Sequence, residues 1–209
     1  MNRFLFTALL CTIFYSCAST KLTSFVDPEV KDKDYDNILI FFPSLDLDEQ
    51  QEGEEIIQEE FAEYGIRTER SLNIFSPTRE YDDYEIIERL RKNDIDAVLL
   101  VEFTDAWSDE SYVPQSTTTT TKGKVNVYGN TATYKENSKT YSYGGYYINK
   151  PRIKFVSKLI DVDEDLVAWI GTSLTKGNAY AKFGTLISSL GSNIIEDLIK
   201  NNLVKSTVK

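Results

Sequence analysis

The chain has 209 residues, of which 41% are hydrophobic and 12% are aromatic, which suits a single domain with one packed core. Its formal net charge of −10 disfavours nucleic acid and anionic membranes as partners of the chain as a whole. There is no histidine, and the only cysteines are Cys11 and Cys17, which excludes histidine-dependent catalysis, histidine-ligated metals and thiolate metal sites in the rest of the chain.

Residues 1–16 have the pattern of a secretory signal peptide. Arg3 provides a positive charge, an uncharged run follows from Phe4 to Tyr15, and the small residue Ser16 stands at the expected cleavage position. The run is shorter than the ~20 apolar residues that a membrane-spanning helix needs. We therefore expect residues 1–16 to be removed, together with Cys11.

Cys17 is the candidate lipidation site. The sequence from Phe14 to Cys17, FYSC, resembles the lipobox of bacterial lipoproteins, which implies a diacylglycerol on the Cys17 thiol. A lone cysteine in an oxidising compartment also needs an explanation, and two or three acyl chains would anchor the protein firmly. The alternative is an ordinary signal peptide, cut nearby, that leaves a free thiol.

Residues 17–36 are polar, charged and aperiodic, so we expect a flexible tether that follows the lipidated residue. There is no aspartate directly after Cys17. By resemblance to lipoprotein sorting rules, this absence implies the outer membrane.

Residues 37–204 predict one α/β domain. A buried strand at 37–43 is followed by a helix with apolar residues Ile57, Phe61 and Tyr64, and then by a strand over 66–75. A second helix follows, whose predicted buried stripe contains Ile86, Ile87 and Leu90, and 95–107 is the most hydrophobic strand. This order of elements, β-α-β-α-β, usually winds into a parallel sheet.

The second half of the domain predicts antiparallel hairpins and a C-terminal helix. Residues 111–150 are rich in threonine and tyrosine and are expected to form a flap, with a bend at YGN or at KENSK. Two strands should flank the segment DVDEDL, and Gly191 should allow close packing of the last helix on the sheet. The last helix has an apolar stripe of Phe183, Ile187, Leu190, Ile194 and Leu198. The fold class is α/β (α+β), with a mixed sheet in a three-layer-like arrangement.

Charge is unevenly distributed along the chain. Asp27 to Glu110 contains 26 acidic and 8 basic residues, whereas Ser111 to Lys158 contains one acidic residue, Glu136, and 8 basic ones. Aromatic and cationic side chains together are typical of binding surfaces. The candidate partner-binding residues are Lys122, Lys124, Tyr128, Tyr141, Tyr143, Arg152, Lys154 and Lys158. Alternatively, tyrosine and threonine only stabilise exposed strands through cross-strand pairs.

Two acidic motifs suggest other sites. Asp161, Asp163 and Asp165 have the spacing of a calcium loop, but its required glycine and glutamate are replaced by Leu166 and Thr172, so we interpret the motif as an acidic turn and predict no metal or other cofactor.

The second acidic motif is a possible ligand crevice. Ser44, Asp46 and Asp105 follow predicted parallel strands, where open sheets bind ligands. A small-ligand or glycan receptor, or a carboxylate-dependent hydrolase, would use them. The same residue types are common in loops and helix caps.

A resemblance to known families covers nearly the whole chain after the tether. The segments ILIFFPSL, NDIDAVLLVEFTD, SYVP and KLIDVDEDLVAWIGTSL are similar to uncharacterised gram-negative envelope lipoproteins. The overall pattern resembles the fold of LpoB, of CsgG and of the amino-terminal domain of TolB.

The resemblance implies a non-enzymatic role. We expect a lipid-anchored outer-membrane protein facing the periplasm, with an envelope protein or anionic envelope component as partner and no role for nucleic acid. A membrane-spanning secretion component is disfavoured because the lysine-rich flap is too polar to face lipid.

Overall fold

A computed structural model describes residues 18–30, 33–128 and 131–208, with the backbone alone considered for 123–128 and 131–136. The helices are α1 (Leu47–Glu63), α2 (Ser71–Ile74), α3 (Asp83–Lys92) and α4 (Phe183–Lys200). The strands are β1 (Ala18–Val26), β2 (Asn37–Phe41), β3 (Arg67–Arg70), β4 (Ala97–Val113), β5 (Ser116–Tyr128), β6 (Thr131–Tyr143), β7 (Tyr146–Asp161) and β8 (Leu166–Gly177).

Six strands form a mixed sheet in the order β1-β8-β7-β4-β2-β3. Strand β2 pairs in parallel with both β3 and β4, as the predicted β-α-β-α-β order requires. Strand β8 pairs antiparallel with β7 on one side and with β1 on the other. The structure confirms the predicted fold class, including the C-terminal helix.

Helices α1 and α4 pack together against one side of the sheet. Ile57 and Phe61 of α1 are buried as predicted, and so are the central residues of the predicted α4 stripe, Ile187, Leu190 and Ile194. Between the helices, the hydroxyls of Ser188 and Ser192 donate hydrogen bonds to the Glu60 carboxylate, at 2.5 Å and 2.6 Å.

Gly191 lets α4 approach helix α1 closely, whereas the sequence predicted close packing on the sheet. A Cβ atom at this position would lie 2.7 Å from Cδ1 of the fully buried Ile57. Real carbon atoms do not pack at that separation, so a larger residue here would force the buried Ile57 side chain to shift.

The predicted tether is wrong for residues 18–26, because these residues form strand β1 at the edge of the sheet. Leu22 and Val26 pack against the core, while the hydroxyl of Thr20 lies 2.9 Å from that of Thr175 and 2.9 Å from that of Ser189. Polar side chains on the inward face therefore bond to one another. Because its inward face carries polar side chains, hydrophobicity alone did not predict this strand.

The predicted strand at 66–75 is wrong beyond Arg70, where the chain turns into the short helix α2. The cause is Glu54, which is fully buried on α1. Its carboxylate accepts hydrogen bonds from the Ser71 hydroxyl, from the Leu72 backbone N–H at 3.2 Å and from the Gln50 amide at 2.8 Å. A buried carboxylate needs such donors, and the turn supplies them.

The predicted buried stripe of α3 is wrong for two of its three residues. Leu90 is buried, whereas Ile86 is 36% exposed and Ile87 is 37% exposed. Ile86 faces a cavity beside this helix, which it lines together with Leu90, whereas Ile87 lies outside that lining.

Residues 109–149 form a separate compact unit, a range that overlaps the expected flap at 111–150. Strands β5 and β6 pair antiparallel from Ser116↔Tyr143 to Tyr128↔Thr131. The KENSK segment lies within β6 and is not a bend. Hydroxyl side chains pair across the two strands, with oxygens 3.1 Å apart for Thr119 and Thr140.

Asp161 joins the turn between β7 and β8 to the segment before β2. Its carboxylate accepts hydrogen bonds from the Lys33 ammonium at 2.6 Å and from the Tyr35 hydroxyl at 3.0 Å. It also accepts from the backbone N–H groups of Asp163 and Glu164, at 2.9 Å and 2.8 Å. The motif is thus a satisfied acidic turn.

These contacts set the protonation of Asp161 and its neighbours. Burial by itself raises the pKa of Asp161, but the hydrogen bonds from Lys33, the Glu164 backbone and Tyr35 outweigh it and hold the pKa below the usual value. Burial, together with the hydrogen bond to Asp161, raises the pKa of Tyr35.

We expect Gly191→Ala to destabilise the protein by about 1–3 kcal/mol, because overpacking against Ile57 outweighs the better helix propensity of alanine. Urea unfolding checks this value. The control is Gly53→Ala in α1, where the new Cβ would lie 3.4 Å from the Phe42 ring, an ordinary contact. That variant should be neutral or more stable by up to ~1 kcal/mol. Equal midpoints for the two variants would contradict the prediction.

We expect Asp161→Asn to cost about 2 kcal/mol of unfolding free energy at neutral pH, because it removes the charged acceptor for Lys33 and Tyr35. A lowered native pKa means that the unfolded chain binds the proton more readily, so this stability is lost as pH falls through the native pKa. The difference from wild type should therefore be full above about pH 4 and shrink below it.

Denaturant melts across pH test the Asp161 prediction. Asp163→Asn is the control, because the Asp163 side chain is 83% exposed and lies 3.9 Å from Arg91, and the change should stay within about 0.5 kcal/mol. A pH-independent loss for Asp161→Asn would contradict the electrostatic account.

Candidate functional site

One side of strands β1, β8 and β7 is left open by the described residues of their own unit, 18–30, 33–108 and 150–208. Helix α4 packs on the other side, where Phe155, Leu159 and Trp169 are buried. On the open side, Lys21, Thr172, Lys176 and Lys154 are exposed, and Phe25 is 63% exposed. We call this side of the three strands the open face.

Strand alternation and register fix which side chains share the open face. Cross-strand neighbours in β1, β8 and β7 form four rows: Ser19, Lys176 and Arg152; Lys21, Leu174 and Lys154; Thr23, Thr172 and Val156; and Phe25, Ile170 and Lys158. Five of these twelve side chains are cationic and none is acidic. The open face is therefore a patch of cations with apolar residues between them.

Acidic residues in the middle of β4 balance two of the cations. The Lys158 ammonium lies 3.0 Å from the Glu102 carboxylate, and that of Lys154 lies 3.6 Å from Asp105. Lys154 also lies 5.0 Å from the centroid of the Trp107 ring, a cation–π contact. Because these groups are partly exposed, water and salt weaken the pairs.

Two other cations, Lys21 and Lys176, keep more of their charge available, because neither has an ion-pair partner within the described residues. The Arg152 guanidinium donates to the backbone carbonyl of Gly177 at 3.0 Å. Arg152 and Lys176 are cross-strand neighbours, so one row of the open face holds two cations side by side.

The predicted partner-binding residues fall into two groups. Arg152, Lys154 and Lys158 all lie on the open face. Lys122, Tyr141 and Tyr143 are exposed on the separate unit 109–149, where the Tyr143 hydroxyl lies 3.0 Å from that of Tyr146. The side chains of Lys124 and Tyr128 lie outside the described residues.

The sequence analysis did not predict Lys21 and Lys176 as partner-binding residues. Lys21 falls in the presumed tether, and Lys176 stands at the end of a strand. The β-branched and aromatic residues of this segment, Thr20, Thr23, Phe25 and Val26, are the signal that could have revealed β1.

Each residue of the predicted ligand crevice has a local structural partner. The Ser44 hydroxyl accepts a hydrogen bond from the Phe103 backbone N–H at 2.8 Å. Asp46 caps α1 by accepting from the Glu49 backbone N–H at 3.0 Å, whereas Asp105 pairs with Lys154. The two carboxylates therefore serve different structural partners.

Across the described ranges, no group of three or more acidic or cysteine side chains is arranged to hold a metal ion. Asp161 is committed to the hydrogen bonds of its turn. The lipidation candidate Cys17 lies outside the described residues.

None of the helices in the described part of the chain combines the length and the apolar character needed to cross a membrane.

No protein-family model and no curated protein matches the sequence. Among solved structures, the chain is similar to the PelC dodecamer of Paraburkholderia phytofirmans, with 14% identity, a TM-score of 0.48, and coverage of 90% of this chain and 99% of that one. A single-residue variant of that dodecamer gives 14% identity, a TM-score of 0.46 and coverage of 86% and 98%. A PDZ domain protein from Parabacteroides distasonis gives 7% identity, a TM-score of 0.34 and coverage of 92% and 39%.

Proposed function

We propose that this protein is a lipid-anchored lipoprotein of the bacterial outer membrane that faces the periplasm. It acts without catalysis, by contact with an envelope protein or an anionic envelope component. The observation that carries the proposal is the open face, where five cations and several apolar side chains share one uncovered side of three strands.

The composition of the open face suits an acidic partner. The negative net charge would repel anions from the molecule as a whole. The five cations of the open face, however, lie together on one side of β1, β8 and β7. Such a patch steers an acidic surface to one orientation and raises the association rate. Leu174, Ile170 and Phe25 between the cations supply apolar area that a partner would bury.

The position of β1 adds a geometric argument for anchorage. Ala18, the residue after Cys17, already pairs with Gly177 of β8. A lipid on Cys17 would therefore attach to the edge of the sheet without a long intervening linker. The neighbouring row that contains Lys176 and Arg152 would then lie near lipid head groups, where each cation is worth about 1 kcal/mol if the lipids are anionic.

A carboxylate-dependent hydrolase finds less support. Asp46 is engaged as a helix cap and Asp105 as the partner of Lys154, so each carboxylate already has a structural role. The non-enzymatic proposal needs no such pair.

We expect the double variant Lys21→Glu, Lys176→Glu to reduce recovery of the crosslinked partner from intact cells by about tenfold or more. The reason is that like charges facing each other at an interface cost several kcal/mol. Quantitative mass spectrometry of the crosslinked material measures the change. The matched control is Lys92→Glu, Lys200→Glu, which changes net charge equally on helices α3 and α4. Equal losses in both variants, or no loss in either, would contradict the role of the open face.

We expect mass spectrometry of the mature amino-terminal peptide to find Cys17 as the first residue, carrying acyl chains. Cys17→Ser should remain uncut, and its membrane fraction should release no acylated peptide, because the serine lacks the thiol that receives the diacylglycerol. Ser16→Ala keeps a small residue before the cut and should be processed normally. A bare Cys17 thiol in the mature wild type would rule out the anchor.

A further inference from the structure

A cavity of about 330 Å³ lies beside helix α3, away from the open face. Residues of β2, β4, α1, α2, α3 and the loop between α2 and α3 line it. The apolar lining residues are Leu39, Phe41, Leu72, Phe75, Pro77, Ile86, Leu90 and Val98. This volume falls in the range of about 300–1,000 Å³ that is typical of small-molecule sites.

The aromatic part of the wall is held in place by specific contacts. Phe75 and Tyr81 meet edge to face, with ring centroids 5.4 Å apart. The Ser76 backbone N–H donates to the Tyr81 hydroxyl oxygen at 2.9 Å, and the Arg89 guanidinium lies 4.7 Å from the centroid of the Tyr81 ring. Contacts at the edge and at the face of the ring therefore hold Tyr81 in place. The loop between α2 and α3 thus forms an ordered wall of the cavity.

The charge among the described lining residues of the cavity is positive. Arg79 is the only charged residue among the described lining residues, and it is exposed. Glu54 lies behind Gln50 and Ser71, and donors from Ser71, Leu72 and Gln50 already bond to its carboxylate. A ligand would thus meet apolar walls and one cation.

The packing of α3 indicates that something is missing from the cavity. Protein interiors are close-packed, and atoms that line a void lose their dispersion contacts. Ile86 lines the cavity and is 36% exposed. An apolar guest between α3 and the sheet would supply the contacts that Ile86 lacks.

We propose that this cavity binds a small amphiphile that consists of an apolar chain and one anionic group. The chain occupies the space between Phe75, Leu90 and Val98, and the anion pairs with Arg79. The apolar lining selects the chain, and the single cation selects the charge. This site is independent of the open face and of lipidation at Cys17.

The test is photolabelling of the full chain in washed membranes. The probe is decanoic acid with a diazirine in its chain, used below its critical micelle concentration, and the matching decanol probe tests the need for charge. We expect the acid to label peptides within 72–98, to be displaced by unlabelled decanoate, and to label more strongly than the alcohol. Labelling spread over the chain without displacement would overturn the proposal.

Two pairs of variants locate the site. Ile86→Trp should reduce labelling about tenfold by filling the cavity, whereas Ile87→Trp, equally exposed but outside the lining, should not. Arg79→Gln should weaken labelling by the acid about three- to fivefold, the effect of a partly exposed ion pair, and leave the alcohol unchanged. Arg91→Gln on α3 is its control. Equal effects within either pair would overturn the proposal.

Discussion

The contact between helices α1 and α4 is the constraint on which the rest of the structure depends. At Gly191 the two helices come so close that one extra carbon atom would collide with Ile57. The Glu60 carboxylate then bridges them through two serine hydroxyls. This pair of helices buries Trp169, Phe155 and Leu159 on one side of the sheet, and so determines which side of each strand is interior.

The same arrangement leaves the opposite side unevenly covered. Helix α3 lies over β2 and β4, where Leu39, Val98 and Leu90 form a second, smaller apolar cluster. Strands β7, β8 and β1 have no corresponding cover within the described residues of their own unit. Cations and scattered apolar side chains occupy that side of β7, β8 and β1. The cavity beside α3 lies where that helix only partly covers β2 and β4. Both candidate surfaces are thus consequences of one-sided helix packing.

The features that the sequence predicted correctly are those that depend on the short-range periodicity of side chains. The parallel strands β2 and β4, the stripes of α1 and α4, and the alternation that puts Arg152, Lys154 and Lys158 on one face all follow from side-chain spacing. Strand β1 was missed because its inward Thr20 is satisfied by Thr175 and Ser189, partners more than 150 positions away. The end of β3 was missed because a buried carboxylate, Glu54, captures Ser71. Hydrogen bonds between residues that are far apart in the chain leave no periodic pattern in the local sequence.

The antiparallel pairing of β1 with β8 has a consequence for the order of folding. Thr20 and Thr175 are 155 positions apart, so the edge of the sheet closes only after almost the entire chain is available. Loop closure over such a distance is entropically costly, and folds dominated by distant pairings form slowly. A chain emerging from a ribosome would keep its first strand unpaired until synthesis is nearly finished.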